Sequence, residues 1–305
     1  MSSSANSSTP SAPRSTFMLA SELMEKVRRI EIRSRRIVQN RTAGAWHASF
    51  KGRGIEFAEI REYQEGDEMR SIDWNVSARL GSPYIKLFTE EREQNVFFLV
   101  DRSASGQFGS GVTTKAEYTA EVAAVLAFSA TLNKDKVGLL LYSDQEELQL
   151  DPARGHRHVL RMIRELLAFE PKSPRTDLAG GIEHMLKTTL KRSIVFILSD
   201  LITPAFDKPL RALARKHEVI LLHVSDPIER SLPDIPALSI SDLETGKVTR
   251  LTRKEARGLA ARTTAAAEQI ASICRRAGID YVPLDTATDY LPAIIALFQK
   301  RISRR

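Results

Sequence analysis

The sequence predicts an α/β protein: a doubly wound, mostly parallel six-stranded sheet preceded by a small N-terminal appendage of helix and β-strand. Three observations carry this. From residue 95 onward, apolar runs of strand length alternate with stretches of helical length and helical periodicity. The runs Val96–Val100, Val137–Tyr142, Ile194–Leu198 and Val219–Leu222 are continuous, as expected for strands covered on both faces. One connection breaks the rhythm: EELQL follows KVGLLLY too soon for a helical crossover and reads as an antiparallel edge strand. With right-handed crossovers elsewhere, strands counted from Asn95 should lie in the order 3-2-1-4-5-6.

Residues 1–16 are rich in Ser, Ala and Pro, lack the apolar core of a signal peptide, and read as a disordered tail. From Phe17 to about Val38, Leu19, Leu23, Val27 and Ile30 recur at spacings of three and four, one helical stripe with arginines on the other faces. Residues 51–94 give mixed signals. Ile55, Phe57 and Tyr63 indicate one strand, Pro83–Phe88 another, with a dense polar stretch, Glu62–Arg79, between them. Residues 17–94 therefore form the appendage and 95–305 the larger domain.

In that domain strand NVFFLV leads into a helix, Lys115–Leu132, then KVGLLLY and the edge strand. Helices His156–Ala168 and Asp177–Leu190 follow, then strand SIVFIL, helix Asp207–Lys216 and strand EVILLHV. Residues Leu238–Leu251 form a small excursion turning at Glu244-Thr245-Gly246. A long helix, Arg253–Ala277, stops at Gly278, ahead of strand IDYVPL and a last helix, Asp289–Arg301.

The chain has 305 residues, 42% hydrophobic and 27% charged, the balance of an ordinary globular protein. No apolar run approaches the roughly 20 residues that cross a bilayer, so no membrane span is expected. A single cysteine, Cys274, without a disulfide partner fits a reducing cytoplasm. The net charge of +7 gathers in Arg28, Arg29, Arg33, Arg35, Arg36 and Arg41 and in the C-terminal residues Lys300, Arg301, Arg304 and Arg305. Such runs serve nucleic-acid binding or a solvated helix face. The second is favoured, because no nucleic-acid motif or aromatic stacking platform accompanies them.

The first strand ends in Asp101-Arg102-Ser103-Ala104-Ser105, the fourth in Ser199-Asp200, and Thr176 stands in the loop that opens an intervening helix. In an open α/β sheet, ligands bind beyond the carboxyl ends of the strands where the strand order reverses. The expected order puts strands one and four side by side, so Asp101 and Asp200 should flank one crevice within reach of Thr176. Two carboxylates and three hydroxyls suit a hard cation that takes oxygen ligands. Two aspartates just neutralise a divalent ion, while neutral hydroxyls leave it electrophilic toward a carboxylate from outside. A blander interpretation makes these same residues turn and helix caps, with Thr176 capping DLAGGI.

DRSAS, RTDLAGGI and FILSDL resemble the three parts of the metal-ion-dependent adhesion site of von Willebrand factor A domains. The resemblance implies a metal site of Asp101, Ser103, Ser105, Thr176 and Asp200 for Mg²⁺, or for Mn²⁺ or Ca²⁺. The preceding GRGIEFAEIREYQEGDEMRSIDWNVSAR resembles the signature of the family called domain of unknown function 58, from about Arg28 onward. That family places a compact N-terminal block before an A-type domain and is associated with MoxR-type AAA+ ATPases. Its members often begin with two transmembrane helices, which this sequence does not show.

The resulting expectation is a cytoplasmic, non-enzymatic adaptor whose metal accepts an Asp or Glu of a protein partner. The alternatives are a metal-dependent hydrolase, for which no motif places a base or nucleophile, and nucleic-acid binding through the basic N-terminal helix. Asp67, Arg70, Asp73 and Trp74 read as an internal salt-bridge and turn network or, failing that, a contact patch. Asp144 reads as a surface turn, and Gly106, Gly109 and Gly111 as a flexible loop without a phosphate-loop lysine. His156 and His158 lack the partners of a zinc set, and His223 reads as a hydrogen-bonded core histidine.

Overall fold

The computed structural model describes residues 20–50, 56–89, 93–203, 205–231 and 237–304; the tail 1–16, Leu19 and Ile55 lie outside them. The chain enters through helix α1 (Ala20–Ile37), one π-helical turn (Val38–Thr42) and helix α2 (Ala43–Ser49). An antiparallel pair follows, β1 (Glu56–Glu62) and β2 (Tyr84–Thr89), with helix α3 (Trp74–Leu80) between them. The main sheet is built from β3 (Asn95–Asp101), β4 (Lys136–Tyr142), β5 (Glu146–Ala153), β6 (Ile194–Ser199), β7 (Glu218–Ser225) and, near the C-terminus, β10 (Asp280–Asp285). Helices α4 (Lys115–Leu132), α5 (His156–Ala168), α6 (Leu178–Thr188), α7 (Asp207–Lys216) and the short α8 (Pro227–Arg230) connect them. A hairpin of β8 (Ala237–Ser241) and β9 (Val248–Thr252) then leads into α9 (Arg253–Ala277), and α10 (Leu291–Ser303) closes the fold.

The strand order is β10-β7-β6-β3-β4-β5, with only β5 antiparallel to its neighbour. This is the order expected from the sequence. Because side chains alternate along a strand, the continuous apolar runs serve two cores. Phe98, Val100, Leu139, Phe196 and Leu222 face α4, α5 and α10, whereas Leu99, Leu140, Ile197 and Leu221 face α6, α7 and the end of α9.

Helix α4 is buried on most of its circumference between Tyr118 and Ala130, so the sheet alone cannot cover it. α1 lies along it and along α5, and α2 fits between α4 and α10. Polar pins fix this second layer. Thr42 shares a hydrogen bond with Ser129 at 3.0 Å, and the Trp46 indole donates to Asp135 at 2.9 Å. The Trp46 ring packs among Phe50, Phe196 and Phe298.

Five details differ from the sequence-based expectation. Residues 38–49 are helical where no element was expected, and α3 occupies part of the polar stretch. α6 begins at Leu178, after Asp177 caps it, and α10 begins at Leu291. The glycine-bearing loop is anchored rather than flexible, because Ser110 donates through both backbone and hydroxyl to Asp226. A Cβ on Gly109 would lie 2.7 Å from the Thr113 carbonyl, so this glycine permits a close backbone approach. In the appendage Arg61 grips both oxygens of Asp67 and Asp73 caps α3, while Arg70 and Trp74 are exposed. The long helix ends as expected, with Gly278 in the left-handed region at φ 71°. No helix among the described residues is long and apolar enough to cross a membrane.

Trp46→Ala removes the side chain that ties α2 to α10 and the sheet. It should cost about 3–5 kcal/mol in urea unfolding, with the unfolding baseline still cooperative.

Candidate metal centre

β3 and β6 are parallel neighbours, and the chain leaves them in opposite directions across the sheet. Their carboxyl ends therefore meet at the point of strand-order reversal. Asp101 is the last residue of β3 and Asp200 follows β6 directly. One Asp101 oxygen accepts the Ser103 N–H at 2.9 Å, folding the chain back into a short 3-10 turn; the other accepts the Ser199 hydroxyl at 2.8 Å. The Ser103 and Ser105 hydroxyls stand 2.9 Å apart, and Ser105 also bonds Asp200. Asp101, Ser103, Ser105 and Asp200 thus form one connected set.

Thr176 stands in the loop before α6 and does not line the cavity between the aspartates. That loop is tied to the turn by the Ala104 N–H on the Pro174 carbonyl at 2.9 Å, and to β4 by the Asp177 N–H on Ser143 O at 2.9 Å. Thr176 is not the cap of α6: the Asp177 carboxylate takes that role through the Gly180 N–H. The Thr176 hydroxyl instead donates to Glu244 at 2.5 Å.

Between the aspartates lies a cavity of about 20 Å³, lined by Asp101, Ser105, Lys115, Ser199 and Asp200, enough for one water-sized particle. Its electrostatics are lopsided. Burial, and then the negative charge of Asp200, push the Asp101 carboxyl up to about 6. Burial acts on Asp200 in the same sense, but the Lys115 ammonium 2.6 Å away overrides it and holds Asp200 below the usual carboxylate range. Lys115 is buried and shared with Glu229 at 2.7 Å; burial disfavours its charge, yet the two carboxylates keep its pKa raised.

Lys115 and Glu229 were not foreseen. Lys115 sits in the first turn of α4 behind the Thr114 cap, a position where a lysine is ordinarily solvated. The usable signal was Ser225-Asp226-Pro227 at the end of β7, which starts α8 and carries Glu229 into the site. The arginine beside Asp101 turns away, its guanidinium donating to the Phe169 carbonyl.

This donor set fits a hard divalent cation. Asp101, Asp200 and Glu229 face the Lys115 ammonium and, at longer range, the Arg102 guanidinium that lines the same cavity, which leaves a net negative charge beside neutral hydroxyls. Among the described residues no three or more His, Cys, Asp or Glu side chains are placed to hold a metal ion together, so a cation here would also need hydroxyl or water oxygens. His223 borders Asp200 but is engaged with the Tyr281 hydroxyl at 2.6 Å, as its apolar strand suggested. His158 bonds the Val137 carbonyl at 2.7 Å and His156 approaches Glu31 at 2.9 Å. Cys274 is buried and free, and burial raises its thiol to about 11, beyond easy ionisation.

The strand order, the antiparallel edge and the Asp-x-Ser-x-Ser turn at the reversal point define a von Willebrand factor A-like α/β domain. The chain belongs to the family described as Protein of unknown function DUF58, which matches residues 59–280. An uncharacterized protein of Mycobacterium tuberculosis is 32% identical over 256 residues, covering 82% of this chain and 80% of its own. The uncharacterized protein YeaD of Bacillus subtilis is 32% identical over 110 residues, 36% of this chain and 25% of its own. Among solved structures, the conserved hypothetical protein BatB from Bacteroides thetaiotaomicron is similar at 15% identity with a TM-score of 0.43, over 70% of this chain and all (100%) of its own. The SpRpn10 VWA domain is similar at 13% identity with a TM-score of 0.39, over 67% of this chain and 94% of its own.

Asp101 ionises near pH 6 in the folded chain against an ordinary 3.8. Its raised value means that, without metal, folded-state stability falls as pH climbs through that window and the penalty stands in full at neutral pH. In chelator, Asp101→Asn should therefore melt above the wild type at pH 7.5, and the gap should close by about pH 4. A variant that melts lower throughout would show that Asp101 is already neutralised from within.

Proposed function

We propose that this protein is a non-catalytic binding module that holds a divalent cation, Mg²⁺ first, and uses it to capture an acidic side chain of a protein partner. Asp101, Ser103, Ser105, Thr176 and Asp200 would hold the ion, directly or through water. When bound, the ion supplies an electrophilic position for an outside carboxylate. The observation that carries this proposal is the pair of carboxylates facing an ion-sized cavity, one of them held near pH 6 by burial and then by the negative charge of its neighbour. Asp101 and Asp200 supply the charge, and Asp101 is fixed in place by the Ser103 N–H and the Ser199 hydroxyl. Lys115 neutralises Glu229 and part of Asp200, which keeps the site from becoming acidic enough to repel a carboxylate partner.

A binding role is favoured over hydrolysis because the ionisable groups at hand are already engaged. Lys115 is locked between carboxylates and His223 is bonded to Tyr281, so neither is presented to a bound substrate as a base. For the partner system we propose a MoxR-type AAA+ ATPase, on the resemblance alone, with the chain acting as an adaptor in assembly or remodelling of protein complexes.

Calorimetry with Mg²⁺ and Mn²⁺ should find one site. Asp101→Ala should abolish binding, because the ion is left under-neutralised. Ser103→Ala and Thr176→Ala should weaken binding roughly tenfold while leaving the fold intact. A tagged chain should co-purify an ATPase from its native lysate in Mg²⁺ and lose it in chelator. Ser105→Asp should keep the metal yet lose that partner. Partner recovery that is unchanged in chelator and in every variant would refute the metal-dependent mechanism and move the search to the appendage.

A further inference from the structure

We propose that Glu244, at the tip of the β8–β9 hairpin, is the site's own carboxylate, occupying in the resting chain the position that an acidic side chain of a partner takes. The inference rests on the metal-binding proposal above and adds to it the first occupant of the site and the way a partner must displace it.

Three observations point to Glu244. Its carboxylate accepts the Thr176 hydroxyl at 2.5 Å across 68 residues of sequence, and this is the one hydrogen bond of the Thr176 side chain among the described residues. The bond is available because Asp177, not Thr176, caps α6. Burial agrees: from Ser241 to Arg250 every residue is exposed except Glu244, which is half-buried. A turn residue gains that cover only by leaning on another part of the chain.

The turn itself is preorganised. Asp242 accepts the Glu244 N–H at 2.9 Å, the Thr245 N–H at 3.3 Å and the Thr245 hydroxyl at 2.6 Å, and Gly246 completes the turn at φ 69°. Glu244 is thus presented at a fixed place with little conformational entropy left to lose on contact. Among the described residues the hairpin's strands pair with each other and pack against α9. Releasing the tip therefore breaks one carboxylate contact and leaves the sheet untouched.

The chemistry matches the role. A hydroxyl that donates its proton to a carboxylate keeps its lone pairs for a hard cation, so Thr176 can hold both at once. An incoming Asp or Glu has the same charge and the same acceptor oxygens as Glu244, and the two compete for one place. The hairpin then raises the threshold for capture, so that weak carboxylates are excluded and a partner with further contacts is admitted.

The test uses the full chain and Mn²⁺ alone as probe, comparing the wild type with Glu244→Ala and Glu244→Gln. Both changes lie in an exposed turn and leave the fold in place. Water-proton relaxation per bound Mn²⁺ should rise in Glu244→Ala by the equivalent of about one exchanging water, since an inner position opens. Mn²⁺ should also slow amide exchange across residues 242–250 in the wild type and leave it unchanged in both variants. Mn²⁺ bound by all three proteins with equal relaxation and no hairpin protection would overturn the role of Glu244 while leaving the metal site standing. Failure of the wild type and both variants to bind Mn²⁺ would overturn the metal site itself, and the role of Glu244 with it.

Discussion

Two carboxylates held side by side at the ends of β3 and β6 set the terms for everything around them. Parallel neighbours that leave the sheet in opposite directions create a crevice, and Asp101 and Asp200 both open into it. Their repulsion must be offset from within or from outside. The chain does part of this with Lys115, which is buried in the first turn of α4 and shared with Glu229. Asp101 makes no ion pair of that kind among the described residues: its oxygens accept from neutral donors, Ser103 and Ser199, and the Arg102 guanidinium bonds the Phe169 carbonyl instead. We propose that a divalent cation completes that arrangement, with the neutral hydroxyls that would share its shell leaving it free to bind a carboxylate from outside.

The scaffold explains how this strained electrostatics is tolerated. α4 carries Lys115 and must stay in place, yet most of its surface from Tyr118 to Ala130 is buried and needs cover on several sides. The sheet covers one face; α1, α2 and α10 cover the rest, pinned by Thr42 to Ser129 and Trp46 to Asp135. The N-terminal helices are therefore part of the same core as the sheet, and the rigidity of the site is linked through α4 to residues far from it in sequence. On the opposite wall, Ser110 and Asp226 anchor the loop that leads from the Asp-x-Ser-x-Ser turn into α4.

Most of the sheet was legible because its strands are continuous apolar runs and its helices carry plain stop signals, as at Gly278. The edge strand β5 was legible from connection length alone. The segment Val38–Ser49 was not, since Asn40, Thr42 and Gly44 are poor helix formers and only the burial of Val38, Trp46 and Phe50 decides its shape. In the site, the aspartates and serines were legible because strand ends and a short motif place them. Lys115, Glu229 and Glu244 were not, because each acts across a long stretch of sequence, through contacts that no local pattern encodes. Thr176 was read both as a site residue and as a cap; the neighbouring Asp177 resolves the capping role.

The most direct test of the central claim is a crystal grown with Mn²⁺ and measured at the manganese absorption edge. The account predicts a single strong anomalous peak between Asp101 and Asp200, at roughly 2.0–2.5 Å from oxygen ligands that include the Ser103 or Ser105 hydroxyl. An empty crevice at saturating Mn²⁺, with the Lys115 ammonium still between Asp200 and Glu229, would contradict it.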